Sequence, residues 1–218
     1  MYIQNDIEKI TSKGFIENSD IQVYSFEVKI KNRDETFYVE ITKIGGFIFQ
    51  INNSRNVNEE NISQEEANNI GIKYLEQIGY KNMKETYFTK RENILTVNYA
   101  YVQNGVVIYS DLVKVKIALD NGEILGIETK GYLNCHYERK LVTPKISISE
   151  AKSNLNPKLN ILSEGKAVIP TENGDEVLCY EFKGKIQDKE FLVYINVETG
   201  KEENILIILE TEGGTLTI

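Results

Sequence analysis

The stretch Val115-Lys-Ile-Ala-Leu-Asp-Asn-Gly122 has the pattern of a strand that runs into a tight turn. Similar stretches occur at Val39-Glu-Ile-Thr-Lys-Ile-Gly-Gly46 and at Val193-Tyr-Ile-Asn-Val-Glu-Thr-Gly200. Each has a valine seven residues before its last glycine and an isoleucine five residues before it. Because the three stretches are in register and nearly evenly spaced, they predict a chain built from internal repeats.

The first unit, residues 1–57, is predicted to begin with a short helix, because isoleucines recur at helical spacing and Gly14 suits a helix end: Ile3, Ile7 and Ile10. Alternating apolar residues then predict three strands: Tyr24–Ile30, Phe37–Ile41 and Phe47–Ile51. The polar segment from Asn52 to Asn61 is interpreted as a linker.

The second and third units, residues 58–140 and 141–218, each contain a capping box, at Ser63–Glu66 and Ser147–Glu150. The helix of the third unit is predicted to be shorter than that of the second, because Pro157 disfavours helical structure at the residue before it. Alternation predicts four strands after each helix: Glu85–Thr89, Ile94–Val102, Val107–Leu119 and Glu123–Thr129, then Ile161–Pro170, Glu176–Lys183, Glu190–Val197 and Glu202–Leu209. Asn-Gly pairs at 104–105 and 121–122 predict type I′ hairpins.

The helix opening Ile-Ser-x-x-Glu-Ala, with strands that end in Asp-Asn-Gly-Glu or Glu-Thr-Gly-Lys, resembles the PepSY domain. Longer runs resemble the YpeB family of germination proteins: Tyr109–Tyr132, Glu176–Lys185 and Val193–Glu203. The expected fold class is therefore α+β, with three tandem PepSY-like repeats, each one helix packed on an antiparallel meander sheet. The first repeat is expected to be partial or divergent.

The resemblance implies a non-catalytic role in spore germination, in which the chain binds, stabilises and regulates a SleB-like cortex-lytic hydrolase. It also implies an extracytoplasmic location, at the spore inner membrane or cortex, through an anchor expected upstream of this fragment. The alternative is a protease-inhibitory PepSY module that regulates peptidase activity during sporulation or germination. A peptidoglycan hydrolase that acts through paired carboxylates is a third hypothesis.

The composition is that of a globular chain, with 41% hydrophobic and 27% charged residues. A net charge of −8 and the lack of a basic stripe argue against nucleic acid as a partner. The longest aliphatic run, Ile205–Leu209, is too short to span a bilayer, so no membrane insertion by this fragment is expected. Met1 is not followed by a signal-peptide pattern.

No catalytic, cofactor-binding or metal-binding residues are predicted. His136 is the only histidine, which excludes a histidine cluster. We expect it to lie in the linker Tyr132–Lys140, where it caps or hydrogen-bonds between units. Cys135 and Cys179 lack metal-site spacing, and a disulfide between them stays open because only geometry could support it. Five strand tyrosines are candidates for a partner interface, with ordinary sheet packing as the alternative: Tyr99, Tyr101, Tyr109, Tyr180 and Tyr194.

Overall fold

The computed structural model describes residues 7–17, 20–211 and 214–217. Within these residues the chain forms thirteen strands and three helices. In chain order they are β1 Ile7–Glu17, β2 Gln22–Ile30, β3 Thr36–Thr42, β4 Ile48–Asn53, α1 Gln64–Gln77, β5 Met83–Arg91, β6 Ile94–Gln103, β7 Val106–Ala118, β8 Ile124–Glu128, α2 Lys130–Cys135, α3 Ile148–Ser153, β9 Asn160–Pro170, β10 Glu176–Ile186, β11 Lys189–Asn196, β12 Glu202–Thr211 and β13 Gly214–Thr217.

All thirteen strands belong to one mixed sheet, in the order β1-β2-β3-β4-β8-β7-β6-β5-β13-β12-β11-β10-β9. The prediction of three repeats, each with one helix on its own meander, is therefore wrong. The strands of the three units join edge to edge, because β4 pairs with β8 and β5 pairs with β13. Pairing between units satisfies strand edges that separate meanders would leave exposed.

The prediction of a helix at the start of the first unit is also wrong for the described residues. Ile3, the first residue of that prediction, lies outside them. Residues 7–17 form β1, which pairs antiparallel with β2 along its length. Helical spacing of Ile7 and Ile10 is a weak signal, and cross-strand pairing overrides it. Gly14, predicted to end a helix, instead has a φ of 112° at an irregularity of the β1–β2 ladder.

Both predicted capping boxes are confirmed. The Ser63 hydroxyl accepts from the Glu66 amide and the Glu66 carboxylate accepts from the Ser63 amide, and Ser147 and Glu150 repeat this arrangement. The helix α1 packs closely on the sheet at Gly71, where an added Cβ would lie 2.3 Å from the Tyr99 hydroxyl oxygen. As expected, α3 is short and ends before Pro157.

The two Asn-Gly turns differ. Asn104 and Gly105 have φ values of 52° and 77°, as a type I′ turn requires. At the end of the opening stretch only Gly122 has a positive φ, 76°, and the turn runs from Ala118 to Glu123. A single left-handed glycine after the bend is typical of a longer hairpin loop, so the type I′ prediction at residues 121–122 is wrong.

Eight of the strands close into a ring. The first residues of β7, Val106–Ile108, pair with β6 on one side and in parallel with β9 on the other. The ring then continues from β6 through β5, β13, β12, β11 and β10 back to β9. The core under α1 fills one side of the sheet, with Leu75, Val97 and Val115 fully buried. A second core lies under α3 and a third lies between the facing strands of the ring.

Candidate interaction groove

A groove lies where the turn after β3, the end of α1 and the helix α2 meet. Its volume is about 550 Å³. Its side chains are mainly apolar or aromatic: Phe47, Ile78, Tyr80, Tyr132, Leu133 and His136. We call this feature the aromatic groove. A concave surface of this composition is typical of sites that accept an apolar side chain of a partner.

The ring contacts of Tyr132 and His136 hold the floor of the groove in place. The Tyr132 and His136 rings stack, with centroids 4.0 Å apart and planes 15° apart. Tyr80 meets Tyr132 edge-on at 4.9 Å, and Tyr101 meets His136 edge-on at 4.7 Å. Edge-to-face and offset-stacked pairs of this kind fix ring orientation, so the groove is preformed.

A buried ion network lies directly behind His136. The His136 Nδ1 atom lies 2.7 Å from Oδ2 of Asp111, whose side chain is fully buried. The guanidinium of Arg139 donates to both oxygens of Asp111, at 2.9 and 2.8 Å. It also donates to both oxygens of Glu176, at 2.6 Å each. We call Asp111, His136, Arg139 and Glu176 the ion network.

The electrostatics of the ion network favour its charged forms. Burial acts to lower the pKa of Arg139, but the hydrogen bonds to Glu176 and Asp111 raise it above the ordinary value. Burial likewise acts to raise the pKa of Glu176, but the hydrogen bonds from Arg139, Ser110 and Tyr137 and the charge of Arg139 together lower it. A buried guanidinium with two carboxylate partners in bidentate geometry is a strong and specific pairing.

The ion network joins the second and third units. Asp111 lies in β7, Arg139 lies in the segment after α2, and Glu176 begins β10. Gln103, at the end of β6, adds two hydrogen bonds to the backbone of Arg139, at 2.7 and 3.0 Å. The segment that carries the groove residues of α2 is thereby tied to both units.

His136 lies in the predicted linker and is the C-cap residue of α2. Its side chain bonds to Asp111, which belongs to the same second unit, so this bond is not the expected one between units. Sequence reasoning missed Asp111, Arg139 and Glu176. One signal for Asp111 was available, because it occupies the same alternating set as the fully buried Val113, Val115 and Ile117. A carboxylate in an otherwise apolar inward set requires a buried partner.

The five predicted interface tyrosines are not brought together. Tyr99 is fully buried under α1, and its hydroxyl donates to Asn68. Tyr180 is buried under α3, where its hydroxyl donates to the backbone oxygen of Ile146. Tyr101 packs behind the groove, against His136. Tyr109 and Tyr194 meet inside the ring, with ring centroids 6.1 Å apart. A partner interface at these residues stays a prediction.

Cys135 and Cys179 are both free thiols, so the possible disulfide is not formed. Among the described residues, no group of three His, Cys, Asp or Glu side chains is placed to hold a metal ion. In the same part of the chain, no helix has the length and apolar character needed to cross a membrane.

Comparison with known proteins shows first that the chain is a PepSY-domain protein. Residues 145–206 match the family model described as "Peptidase propeptide and YPEB domain". Residues 1–142 match the model described as "YpeB sporulation, PepSY1 and PepSY2 domains". PepSY domains are typically extracellular and are not catalytic. This agrees with the expected extracytoplasmic location.

The chain belongs to the YpeB family, as its resemblance predicted. It is 35% identical to the sporulation protein YpeB of Halalkalibacterium halodurans over 95% of this chain and 46% of that protein. The Bacillus subtilis protein of the same name is 32% identical over 90% of this chain and 44% of that protein. The chain thus spans less than half the length of these relatives. The solved C-terminal domain of Bacillus megaterium YpeB superposes with a TM-score of 0.84 at 30% identity, covering 93% of this chain and 90% of that chain.

Proposed function

We propose that this chain is a non-catalytic germination module that binds, stabilises and regulates a SleB-like cortex-lytic hydrolase. The observation that carries the proposal is the aromatic groove, a preformed apolar surface on a chain of the YpeB family. We further propose that the module works at the spore inner membrane or cortex, held there by a segment of the longer protein.

The groove fits a protein partner because its apolar side chains are accessible while their supports are not. Phe47 is 56% exposed at the rim of the groove. Asp111 and Arg139, behind the floor, are buried. Binding of an apolar anchor from the hydrolase would bury Phe47 without disturbing the ion network. Such aromatic positions commonly carry most of the binding energy of an interface.

The proposal is tested by co-purifying the chain with a SleB-like hydrolase and by measuring cortex lysis with and without it. We expect a complex, and a change in either the lysis rate or the lifetime of the hydrolase. Phe47→Ala should weaken binding by about tenfold or more, as expected for an interface anchor. The chain alone, incubated with cortex fragments, should release no muropeptides.

Phe15→Ala is the matched control. Phe15 is also exposed, at 42%, but lies on β1, the edge strand of the first unit, where it packs beside Tyr24. If Phe15→Ala abolishes binding and Phe47→Ala does not, docking occurs at the sheet edge and the groove assignment is wrong. If neither hydrolase binding nor an effect on lysis is seen, the proposed function itself fails.

A second candidate function follows from the match of residues 145–206 to a domain also found in peptidase propeptides. We propose, as the alternative, inhibition of a sporulation or germination protease. It predicts saturable inhibition of at least one enzyme in a panel of such proteases, and a panel without inhibition would remove this alternative.

A further inference from the structure

The closed ring of eight strands contains a cavity that is separate from the aromatic groove. Its volume is about 350 Å³. Residues of β5, β7, β9, β10, β11 and β12 line it, and these strands lie on opposite sides of the ring. The cavity therefore lies inside the ring. Its size lies within the range of pockets that bind small molecules.

Apolar and polar side chains share the cavity wall, and Tyr109, Glu181 and Tyr194 lie close together in it. The wall includes Val107, Ile169, Leu192 and Leu206. The Tyr109 hydroxyl donates to Oε2 of Glu181 at 2.7 Å. The Tyr194 ring packs edge-on against the Tyr109 ring, with centroids 6.1 Å apart. An apolar pocket with a few convergent polar groups is the usual form of a small-molecule site.

The polar cluster carries a negative charge without a cationic partner. In the described part of the chain no ion pair reaches Glu181. Two lysines also line the cavity, Lys84 and Lys183, and Lys183 pairs with Glu190 at 2.8 Å. Burial, and then the Glu181 charge, raise the pKa of Tyr109, so its hydroxyl stays protonated and acts as a donor to the carboxylate. Hydroxyl donors solvate Glu181 but do not neutralise it, and a partly buried charge gains most from a cation.

We propose that this cavity binds a small primary amine with an apolar body, whose ammonium group pairs with Glu181 and whose body packs on Leu192 and Leu206. The ammonium donates to the Glu181 carboxylate and gives it a directly paired positive charge. A neutral or anionic compound of the same shape lacks the charge pairing.

The test uses three probes with the same apolar body, namely 2-phenylethylamine, 2-phenylethanol and phenylacetate, titrated into the intact chain by calorimetry at neutral pH. We expect the amine to bind about tenfold tighter than the alcohol, as a charge-assisted hydrogen bond requires, and the carboxylate to bind most weakly. Glu181→Gln should bring the amine and the alcohol to about equal affinity while preserving the shape of the cavity.

Glu202→Gln is the matched control, because it removes the same charge from an exposed position on β12, another strand of the ring. It should leave the preference for the amine unchanged. The thermal melting of both variants establishes that they fold. The inference is overturned if the amine binds no tighter than the alcohol, if Glu181→Gln keeps the preference, or if none of the probes binds.

Discussion

Replacing Arg139 by alanine should destabilise the protein more than any replacement of an exposed arginine. Arg139 is 6% exposed and donates to both oxygens of Asp111 and of Glu176. Without it, Asp111 remains a fully buried carboxylate whose remaining side-chain partner among the described residues is His136, at 2.7 Å. The cost is therefore that of an uncompensated buried charge, not that of one hydrogen bond.

Removing one partner of a buried ion pair costs about 3–5 kcal/mol. His136 stays beside Asp111 and offsets part of this, so we expect the low end, about 3 kcal/mol. For a chain of this length, that corresponds to a fall in melting temperature of about 6–12 °C. Urea unfolding followed by circular dichroism gives the free energy, and a thermal scan gives the melting temperature.

Two further variants test the reasoning. Arg91→Ala removes an arginine whose side chain is 88% exposed, and it should cost less than about 1 kcal/mol. Adding Asp111→Asn to Arg139→Ala removes the stranded charge and should recover part of the lost stability. The reasoning is refuted if Arg139→Ala is as mild as Arg91→Ala, or if Asp111→Asn makes the Arg139 variant worse.

Three other outcomes follow from the structure. The pKa of Glu176 is lowered from its ordinary value of 4.5, so its contribution to folding stability is complete above that pH and is lost as the pH falls through the lower folded value. The stability difference between wild type and Glu176→Gln should therefore disappear on acidification. A constant difference in acid melts would contradict this. Gly71→Ala should destabilise by about 1–3 kcal/mol in urea unfolding, because the added Cβ meets the Tyr99 hydroxyl, whereas alanine normally favours a helix. Cys179 is buried, and burial raises its pKa to about 12. A thiol reagent should therefore modify Cys179 only on unfolding, while Cys135 reacts in the folded protein. Equal modification rates of the two thiols in the folded protein would disprove this.

The parts of the fold that the sequence predicts correctly depend on local signals. The capping box at Ser63 involves residues three positions apart, and it correctly places the start of α1. The first unit lacks such a signal, because two isoleucines at helical spacing in residues 7–17 do not outweigh pairing with β2. Closure of the ring could not be predicted from local patterns either, since it depends on three residue pairs in parallel register between β7 and β9.

The groove and its network were only partly predictable. His136 could be singled out because it is the only histidine. The other three residues of the ion network could not, because Arg139 is 28 positions from Asp111 and 37 from Glu176. Separations of this size leave no pattern in a single sequence. The tyrosines show the opposite failure: Tyr99 and Tyr180 alternate as interface residues would, yet each is buried with a hydroxyl partner. Buried tyrosines with a bonded hydroxyl and exposed interface tyrosines have the same pattern in a sequence.

One irregularity in β7 accounts for both the ion network and the ring cavity. A regular strand directs residues two apart to the same face, so Tyr109 and Asp111 would point the same way. In β7 the register with β6 shifts between the pairs Tyr101–Ile108 and Ala100–Leu112, and the intervening residues fall outside the ladder. Tyr109 consequently lines the cavity inside the ring, while Asp111 bonds to His136 and Arg139 behind the groove. The change of face between Tyr109 and Asp111 thus precedes the repeated stretch that begins at Val115. That stretch has a register shift of its own against β8, between Lys116 and Ile117, and the copies that begin at Val39 and Val193 have a shift at the equivalent position.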